Sequence, residues 1–368
     1  MADYIYQDPG WPHFTWDISK ITSLLAVVRH RQGRLLGNME ALGFNLRSEA
    51  LLESLTLNVI KTSEIEGEIL NREQVRSSIA RRLGIDVTGM LASDRNIDGV
   101  VEMMLDATQA FGEPLTTDRL FGWHTCLFPS GRSGMHKIRT GAWRDDGKGP
   151  MQVISGGYGR EKIHFEAPPA SKLDDEIESF LFWLNTENQT DPVLKAAVAH
   201  LWFVTIHPFE DGNGRIARAI ADMQLARADG SAQRFYSMSA QIQRERTRYY
   251  EILESTQKGA LDITDWIFWF LECLSRSLDA TELLLSKVFA KARFWEKVSA
   301  VTFNDRQRFM LNKLLDDFEG KLTTTKWAKL TKCSHDTAIR DIQYLIDNQI
   351  LLKESAGGRS TGYAINLY

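Results

Sequence analysis

The sequence predicts a mainly α-helical fold that carries one β-hairpin and ends in a separate small domain. Apolar residues recur at spacings of three and four along most of the chain, the period of an amphipathic helix. Residues 141–169 interrupt this period with many glycines and prolines, and residues 300–368 show shorter helical patterns. We therefore expect an N-terminal helical domain over 1–110, a helical core over 111–290 and a winged helix-turn-helix domain over 300–368.

Amphipathic segments predict the helices of the first two domains. The second of these segments ends beyond Gly67, and the third opens with a Thr pair that can cap a helix. The predicted helices span residues 18–43, 48–70, 116–128, 170–185, 192–206, 214–228 and 263–278.

The interruption at 141–169 predicts a β-hairpin. Two short β-like runs, 151–155 and 162–166, flank the Gly-rich sequence at 156–160. A hairpin of this kind has a free edge that can pair with an extended peptide.

The C-terminal segment has the order expected of a winged helix. Helical patterns over 305–318, 323–333 and 334–350 precede a strand, a Gly-rich turn and a second strand over 351–367. Its ten Lys and Arg against eight Asp and Glu make it only weakly basic. DNA or a protein are both candidate partners, and the DNA-contacting candidates are Lys332, Arg340 and, on the wing, Arg359.

Composition narrows the class of protein. The 368 residues carry a formal net charge of −4, so no global basic field favours nucleic acid. The three cysteines are scattered and form no CxxC pair, which fits a reducing compartment and neither a disulfide framework nor a zinc ribbon. The first residues lack the features of a signal peptide, and no apolar run reaches the length of a membrane span. We expect a cytoplasmic protein without a membrane partner.

The run His-Pro-Phe-Glu-Asp-Gly-Asn-Gly-Arg-Ile-Ala-Arg, residues 207–218, concentrates chemistry. Gly212 and Gly214 permit positive φ and close approach of a ligand, and a helix beginning near Asn213 would turn its N-terminus to an anion. Arg215 and Arg218, one turn apart, suit a polyphosphate.

The same run holds a candidate metal ligand and a candidate base. A carboxylate such as Asp211 is a typical ligand of Mg²⁺, and His207 titrates near neutrality as an isolated side chain. Together these groups predict a nucleoside polyphosphate site with a base beside it. Metal binding by His200 and His207 is disfavoured, because no further His or Cys lies nearby.

The run resembles, position for position, the signature of the Fic (Fic/DOC) family, over a core of roughly residues 115–275. The resemblance implies a protein adenylyltransferase that moves AMP from ATP to a Ser, Thr or Tyr hydroxyl of a target protein or of itself. It implies that His207 is the general base, that Asp211 ligates Mg²⁺ and that Phe209 anchors the loop. The remaining residues of the run would bind ATP: Gly212, Asn213, Gly214, Arg215, Ile216, Ala217 and Arg218.

The resemblance also assigns residues outside the run. The hairpin strand Lys162, Ile163, His164 and Phe165 would be a flap over the nucleotide. Tyr249 and Tyr250 match a pair that lines the adenine pocket, and Gln257 stands where many relatives have Asn.

The stretch Thr62 to Gly67 matches the family's inhibitory motif. The resemblance implies that Glu66 pairs with Arg218 and so blocks productive ATP binding. Relatives with this motif are often dimers, and a homodimer is expected here. Two other functions remain open: a de-AMPylase using the same site, and a nucleotide-sensing transcription regulator acting through the winged helix.

Overall fold

The computed structural model describes residues 4–40, 44–86, 90–147, 149–156, 162–315, 318, 320–354 and 361–366. The chain divides into two compact units, Met1–Glu282 and Leu283–Tyr368. Both are mainly helical, as the sequence predicts, and their strands form small two-stranded sheets.

The first unit contains helices from both predicted N-terminal domains. They are α1 (Ile18–Glu40), α2 (Phe44–Ile65), α3 (Arg72–Leu83), α4 (Arg95–Gln109), α5 (Thr117–Leu127), α6 (Leu173–Thr186), α7 (Pro192–Ile206), α8 (Asn213–Asp229), α9 (Met238–Arg244), α10 (Arg246–Gln257) and α11 (Thr264–Lys297), the last of which contains the boundary residue Glu282. Short 3-10 turns lie at Ile5–Gln7 and Ala170–Lys172.

Helix α7 is the centre of this unit. Asp191 caps it, Pro192 occupies its first turn, and all its residues from Val193 to Ile206 are buried. A helix that is apolar on every face must be surrounded by other elements. Its partner α8 is likewise buried from Arg215 to Ala226. The turn between these two core helices is therefore held rigidly from both sides.

The hairpin predicted at 141–169 is confirmed. Strand β3 (Gln152–Ser155) pairs antiparallel with β4 (Lys162–Glu166), and the register shifts between Val153 and Ile154. The part of the predicted turn at 157–161 lies outside the described residues. A second hairpin, β1 (Arg132–Ser133) with β2 (His136–Lys137), precedes it and was not predicted.

Four helices of the first unit were also missed. Helix α3 is charged, and its buried face includes Ser77 and Ser78, so its sequence lacks a clear apolar stripe. Helix α4 does have a strong stripe and an Asp94 N-cap, so its signal was present in the sequence. Helices α9 and α10 are short and polar, which is why periodicity alone did not predict them.

The second unit has the predicted order of elements. Helices α12 (Asp305–Leu315), α13 (Thr324–Thr331) and α14 (His335–Asp347) precede strands β5 (Leu351–Lys353) and β6 (Tyr363–Ile365), which pair antiparallel. Fully buried Trp327 lies in its core. The assignment as a winged helix, with Lys332 and Arg340 as DNA contacts, stays a prediction, and Arg359 lies outside the described residues. Within the described chain, the helices are too short or too polar to cross a membrane.

Candidate active site

The run 207–218 forms the turn from α7 into α8. His207 is the C-cap of α7, in the left-handed region with φ 52°, and its N–H donates to the Phe203 carbonyl at 3.0 Å. Gly212 caps α8 with φ 81°. Gly214, expected to have positive φ, lies instead in the first turn of α8. Two left-handed residues thus reverse the chain within five positions.

Asn213 fixes the shape of this turn. Its side-chain oxygen accepts from the Phe209 N–H at 2.9 Å, and its amide donates to the Phe209 carbonyl at 2.7 Å. Phe209 itself is fully buried, as expected of an anchor. Because the Asn213 side chain is committed to the loop, any contact between Asn213 and a phosphate would come from its backbone N–H.

Two residues that the sequence reasoning missed hold the turn from outside. Arg144 donates to the His207 carbonyl at 2.8 Å, while its own N–H donates to the Pro208 carbonyl at 2.9 Å. His124 accepts from the Gly141 N–H through Nδ1, so Nε2 carries its proton and donates to the Asp211 carbonyl at 3.2 Å. Neither residue lies in a recognisable local motif, and only the tertiary fold brings them here.

His207 is in the tautomer that a base requires. Its Nδ1 lies 3.2 Å from the Val204 carbonyl, so Nδ1 carries the proton and Nε2 presents its lone pair. Burial lowers the pKa of His207 to about 4. The expectation that this ring titrates near neutrality is therefore wrong: the ring is neutral throughout the physiological range.

This pKa predicts the titration of the free protein. We expect the His207 ring signals in an NMR titration to change around pH 4, because burial disfavours the imidazolium form. Above that pH the neutral ring can accept a proton. It loses this ability as the pH falls through the pKa and the imidazolium forms. The His207→Ala protein identifies the resonance, and a midpoint near the ordinary value of 6.5 would contradict the structure.

Asp211 is the candidate metal ligand. One carboxylate oxygen accepts from the Gly212 N–H at 2.5 Å and the other from the Ser133 hydroxyl on β1. Among the described residues, no group of three His, Cys, Asp or Glu side chains could hold a metal ion. A single fixed carboxylate fits Mg²⁺ only when phosphate oxygens supply further ligands, which is how Mg²⁺ is commonly held beside nucleotides.

Arg218 forms hydrogen bonds with residues at the C-terminal end of α2. Arg218 Nη2 lies 2.6 Å from Glu66 Oε1 and 2.9 Å from the Thr62 carbonyl, while its Nε donates to the Thr62 hydroxyl at 2.8 Å. Arg218 is 2% exposed. Because the Glu66 side chain is 32% exposed, the pair is shielded only on its arginine side, and solvent screens part of this charge-assisted attraction.

A glycine at each side permits this contact. Helix α2 ends at Ile65, and Gly67 follows with φ 84°, so the Glu68 N–H bonds back to the Ser63 carbonyl at 3.0 Å. This turn is typical of a Schellman-type helix end. On the facing helix, a Cβ at Gly214 would lie 2.4 Å from Glu66 Oε1. Any larger residue at 214 would therefore displace the carboxylate.

The other arginine is occupied as well. Arg215 Nη1 donates to Glu68 Oε2 at 2.9 Å, and its guanidinium lies over the Phe128 ring at 5.0 Å. The sequence analysis assigned no role to Glu68. The helix end instead aims one carboxylate at each motif arginine, Glu66 at Arg218 and Glu68 at Arg215.

Both arginines keep unused donors. Arg218 Nη1 and Arg215 Nε are buried and have no hydrogen-bond partner among the described residues. The first N–H groups of α8 also precede its first intrahelical bond, from Ile216 to Gly212. Unpaired buried donors at a helix N-terminus are the groups that a phosphate would satisfy.

Three other residues assigned to ATP have buried side chains. Ile216 and Ala217 are fully buried, so their side chains belong to the core of α8. Gln257 is 5% exposed and donates to the Thr205 hydroxyl at 3.3 Å. Their assignment to ATP stays a prediction.

The tyrosine pair splits between core and surface. Tyr249 is buried, and its hydroxyl lies 2.9 Å from His200 Nε2. Tyr250 is 39% exposed and reaches the Ile65 carbonyl at 3.5 Å, beside the glutamate segment. Tyr250 is therefore the member of the pair with a surface to offer a ligand.

The flap strand also divides into two faces. Phe165 is buried, whereas Ile163 on β4 and Ile154 on β3 are about half exposed. His164 lies 2.5 Å from Glu254 Oε2 on α10, which joins the flap to the helix that carries the tyrosines. A separate surface cavity of about 530 Å³ lies behind the flap against Tyr6 and Glu166, away from the motif.

Two segments of the chain match known protein families. Residues 114–225 match the Fic/DOC family, and residues 4–85 match a domain of unknown function (DUF4172). The chain is 25% identical over 226 residues to a protein adenylyltransferase Fic of Drosophila virilis, covering 58% of this chain and 40% of that protein. The chain is also 25% identical over 236 residues to the protein adenylyltransferase Fic of Nematostella vectensis, and the alignment covers 63% of this chain and 49% of that protein. The chain thus spans half or less of the length of these relatives.

Solved structures share the fold. A Fic family protein from Desulfovibrio desulfuricans G20 superposes with a TM-score of 0.55 at 21% identity, over 96% of this chain and 98% of that one. A Fic domain containing signaling protein from Bacteroides thetaiotaomicron superposes with a TM-score of 0.51 at 21% identity, over 73% of this chain and 96% of that one. The segment that matches the Fic/DOC family, residues 114–225, includes the turn 207–218 near its end.

Proposed function

We propose that the protein is an adenylyltransferase that moves AMP from ATP to a hydroxyl of a protein, and that its own N-terminal segment holds it inactive. One observation carries this proposal. A neutral His207, the N-terminus of α8 and two buried arginines, Arg215 and Arg218, belong to one turn. Glu68 and Glu66 bind these two arginines, so they occupy groups that a phosphate chain would use. The relatives named protein adenylyltransferase support the reaction type.

The residues divide the work of transfer. The N-terminus of α8 and the unpaired donors of Arg215 and Arg218 would hold the phosphate chain in line and stabilise the charge that develops on it. His207 Nε2 would accept the proton of the attacking hydroxyl. Asp211 would hold Mg²⁺, which when bound neutralises phosphate charge.

The transferred group is the direct test. In the presence of Mg²⁺, the Glu66→Gly protein is incubated with a cell lysate and ATP labelled on either the α- or the γ-phosphate. Relative to the same lysate without the variant, we expect additional protein-bound label from the α-labelled ATP alone, with release of pyrophosphate. Additional label from γ-labelled ATP would indicate phosphoryl transfer by the protein, and additional label from neither would refute the proposed reaction.

The second carboxylate has a smaller predicted effect. Glu68 is 37% exposed in its side chain, so its pair with Arg215 is worth about 0.2–1 kcal/mol, the range of exposed pairs. We expect Glu68→Gln to raise the transfer rate by at most about fivefold. In the Glu66→Gly background, Glu68→Gln should raise the rate further. The measurement is the initial rate of label incorporation. No change in either background would show that Glu68 does not restrain Arg215.

A further inference from the structure

Three contacts between the end of α2 and the start of α8 are spaced by one helical turn. The contacting pairs are Asn58 with Asp222, Thr62 with Arg218, and Glu66 with Gly214. The residue number rises by four along the first helix each time it falls by four along the second. Residues four apart lie on one helix face, so the two helices run in opposite directions along one row of contacts. This row fixes how the residues around Glu66 lie against the signature turn.

The first pair anchors α2 in the core. Asn58 and Asp222 are 5% and 2% exposed, and the Asn58 amide donates to the carboxylate at 2.8 Å. The Ser237 hydroxyl donates to the Asn58 side-chain oxygen at 2.7 Å, and Arg234 donates to the other Asp222 oxygen at 3.0 Å. Separating the helices would leave these buried polar groups without partners, which is costly. The body of α2 therefore stays on α8 when the Glu66 side chain gives way to a ligand.

Thr62 holds the guanidinium of Arg218 independently of the glutamate. Its hydroxyl accepts from Nε at 2.8 Å, and its carbonyl accepts from Nη2 at 2.9 Å. Thr62 is fully buried, so both bonds are shielded from water. Nη1 has no hydrogen-bond partner in the described part of the chain. When Glu66 leaves, Nη1 and the second N–H of Nη2 become the free side of a fork whose other side is fixed.

We propose that Thr62 is a positioning residue of the ATP site, so that the helix before the inhibitory glutamate also completes the site; this rests on the proposed transferase activity. In the inhibited protein Thr62 and Glu66 share Arg218. In the active protein Thr62 keeps the guanidinium in the orientation that meets the phosphates. A fork that is already fixed loses less conformational entropy when it binds an anion. Loss of the Thr62 hydroxyl therefore weakens ATP binding, whereas loss of the Glu66 carboxylate relieves inhibition.

The experiment compares the Glu66→Gly protein with and without Thr62→Val. Valine keeps the branched shape and removes the hydroxyl that accepts from Arg218. With Mg²⁺ present, we expect the KM for ATP in label transfer and the Kd for ATP in calorimetry to rise by about tenfold, while kcat changes little. This is the lower end of the effect of a hydrogen bond to a charged group. Thr62→Ala should give the same rise, and Thr62→Ser, which keeps the hydroxyl, should not.

Thr56→Val is the matched control. Thr56 is also a fully buried threonine of α2, but its hydroxyl donates to the Leu52 carbonyl at 2.6 Å in its own helix. The same change there should leave the KM and the Kd for ATP unchanged. A second control starts from Arg218→Ala, in which Thr62→Val should weaken ATP binding no further, because no guanidinium remains to be positioned.

The outcomes separate the two proposals. An unchanged Kd for ATP after Thr62→Val, or equal weakening by Thr56→Val, would overturn the positioning role and leave the transferase intact. Weaker ATP binding after Thr62→Val without AMP transfer by either protein would refute the reaction and retain the positioning role. Absence of ATP binding to the Glu66→Gly protein would overturn both.

Discussion

Replacing Glu66 by glycine is expected to raise AMP incorporation by roughly ten- to a hundredfold. The carboxylate makes a 2.6 Å bond to Arg218, and a hydrogen bond between charged groups contributes about 1.5–3 kcal/mol. ATP must displace that contact before its phosphates can use the guanidinium. Removing the side chain removes this competition and leaves the Thr62 contacts of Arg218 in place. The measurement is the initial rate of label transfer from α-labelled ATP.

A neighbouring glutamate provides the control. Glu64 lies on the same helix end, but it pairs with Lys61 at 2.6 Å and has no bond to either motif arginine. Glu64→Gly introduces a glycine two positions earlier, inside the last turn of α2, and should leave the rate unchanged. Equal activation by both variants would mean that loosening of α2, rather than loss of the Glu66–Arg218 pair, releases the enzyme.

Local sequence was sufficient for the parts of the site that follow the chain. Helix α7 runs over the predicted 192–206, and α8 starts one residue before its predicted first position, because caps and glycines mark their ends. The inhibitory resemblance also implied the pair of Glu66 with Arg218, which the structure places in contact. Whether that pair inhibits remains for the experiment above.

Contacts between distant segments could not be predicted in this way. Arg144 and His124 hold the turn through backbone carbonyls of His207 and Asp211, and a carbonyl has no sequence signature. The pKa of His207 likewise depends on burial by the whole fold, so its ordinary value was a poor guide. The contacts of Ser155 and His164 also depend on tertiary packing. These two residues pair across the strands of the flap, and His164 reaches Glu254 because the flap packs on α10.

His207 is the residue whose loss should cost the most. In the Glu66→Gly background, His207→Ala is expected to lower the rate of AMP transfer by about 100- to 10,000-fold, the range for a general base. The ring has its Nδ1 proton committed to Val204, so Nε2 is the only nitrogen that can receive the proton of an incoming hydroxyl. Alanine leaves the turn without an acceptor at that position.

The kinetic signature separates a base from a structural residue. Because His207 belongs to the chemistry and the arginines to phosphate binding, His207→Ala should lower kcat while the KM for ATP changes little. His30→Ala, an exposed histidine on α1, is the matched control and should retain full activity. The turn is held by the backbone carbonyl of His207 and by Asn213, contacts that alanine preserves. An equal loss in ATP binding would indicate that the imidazole shapes the cradle rather than accepting a proton.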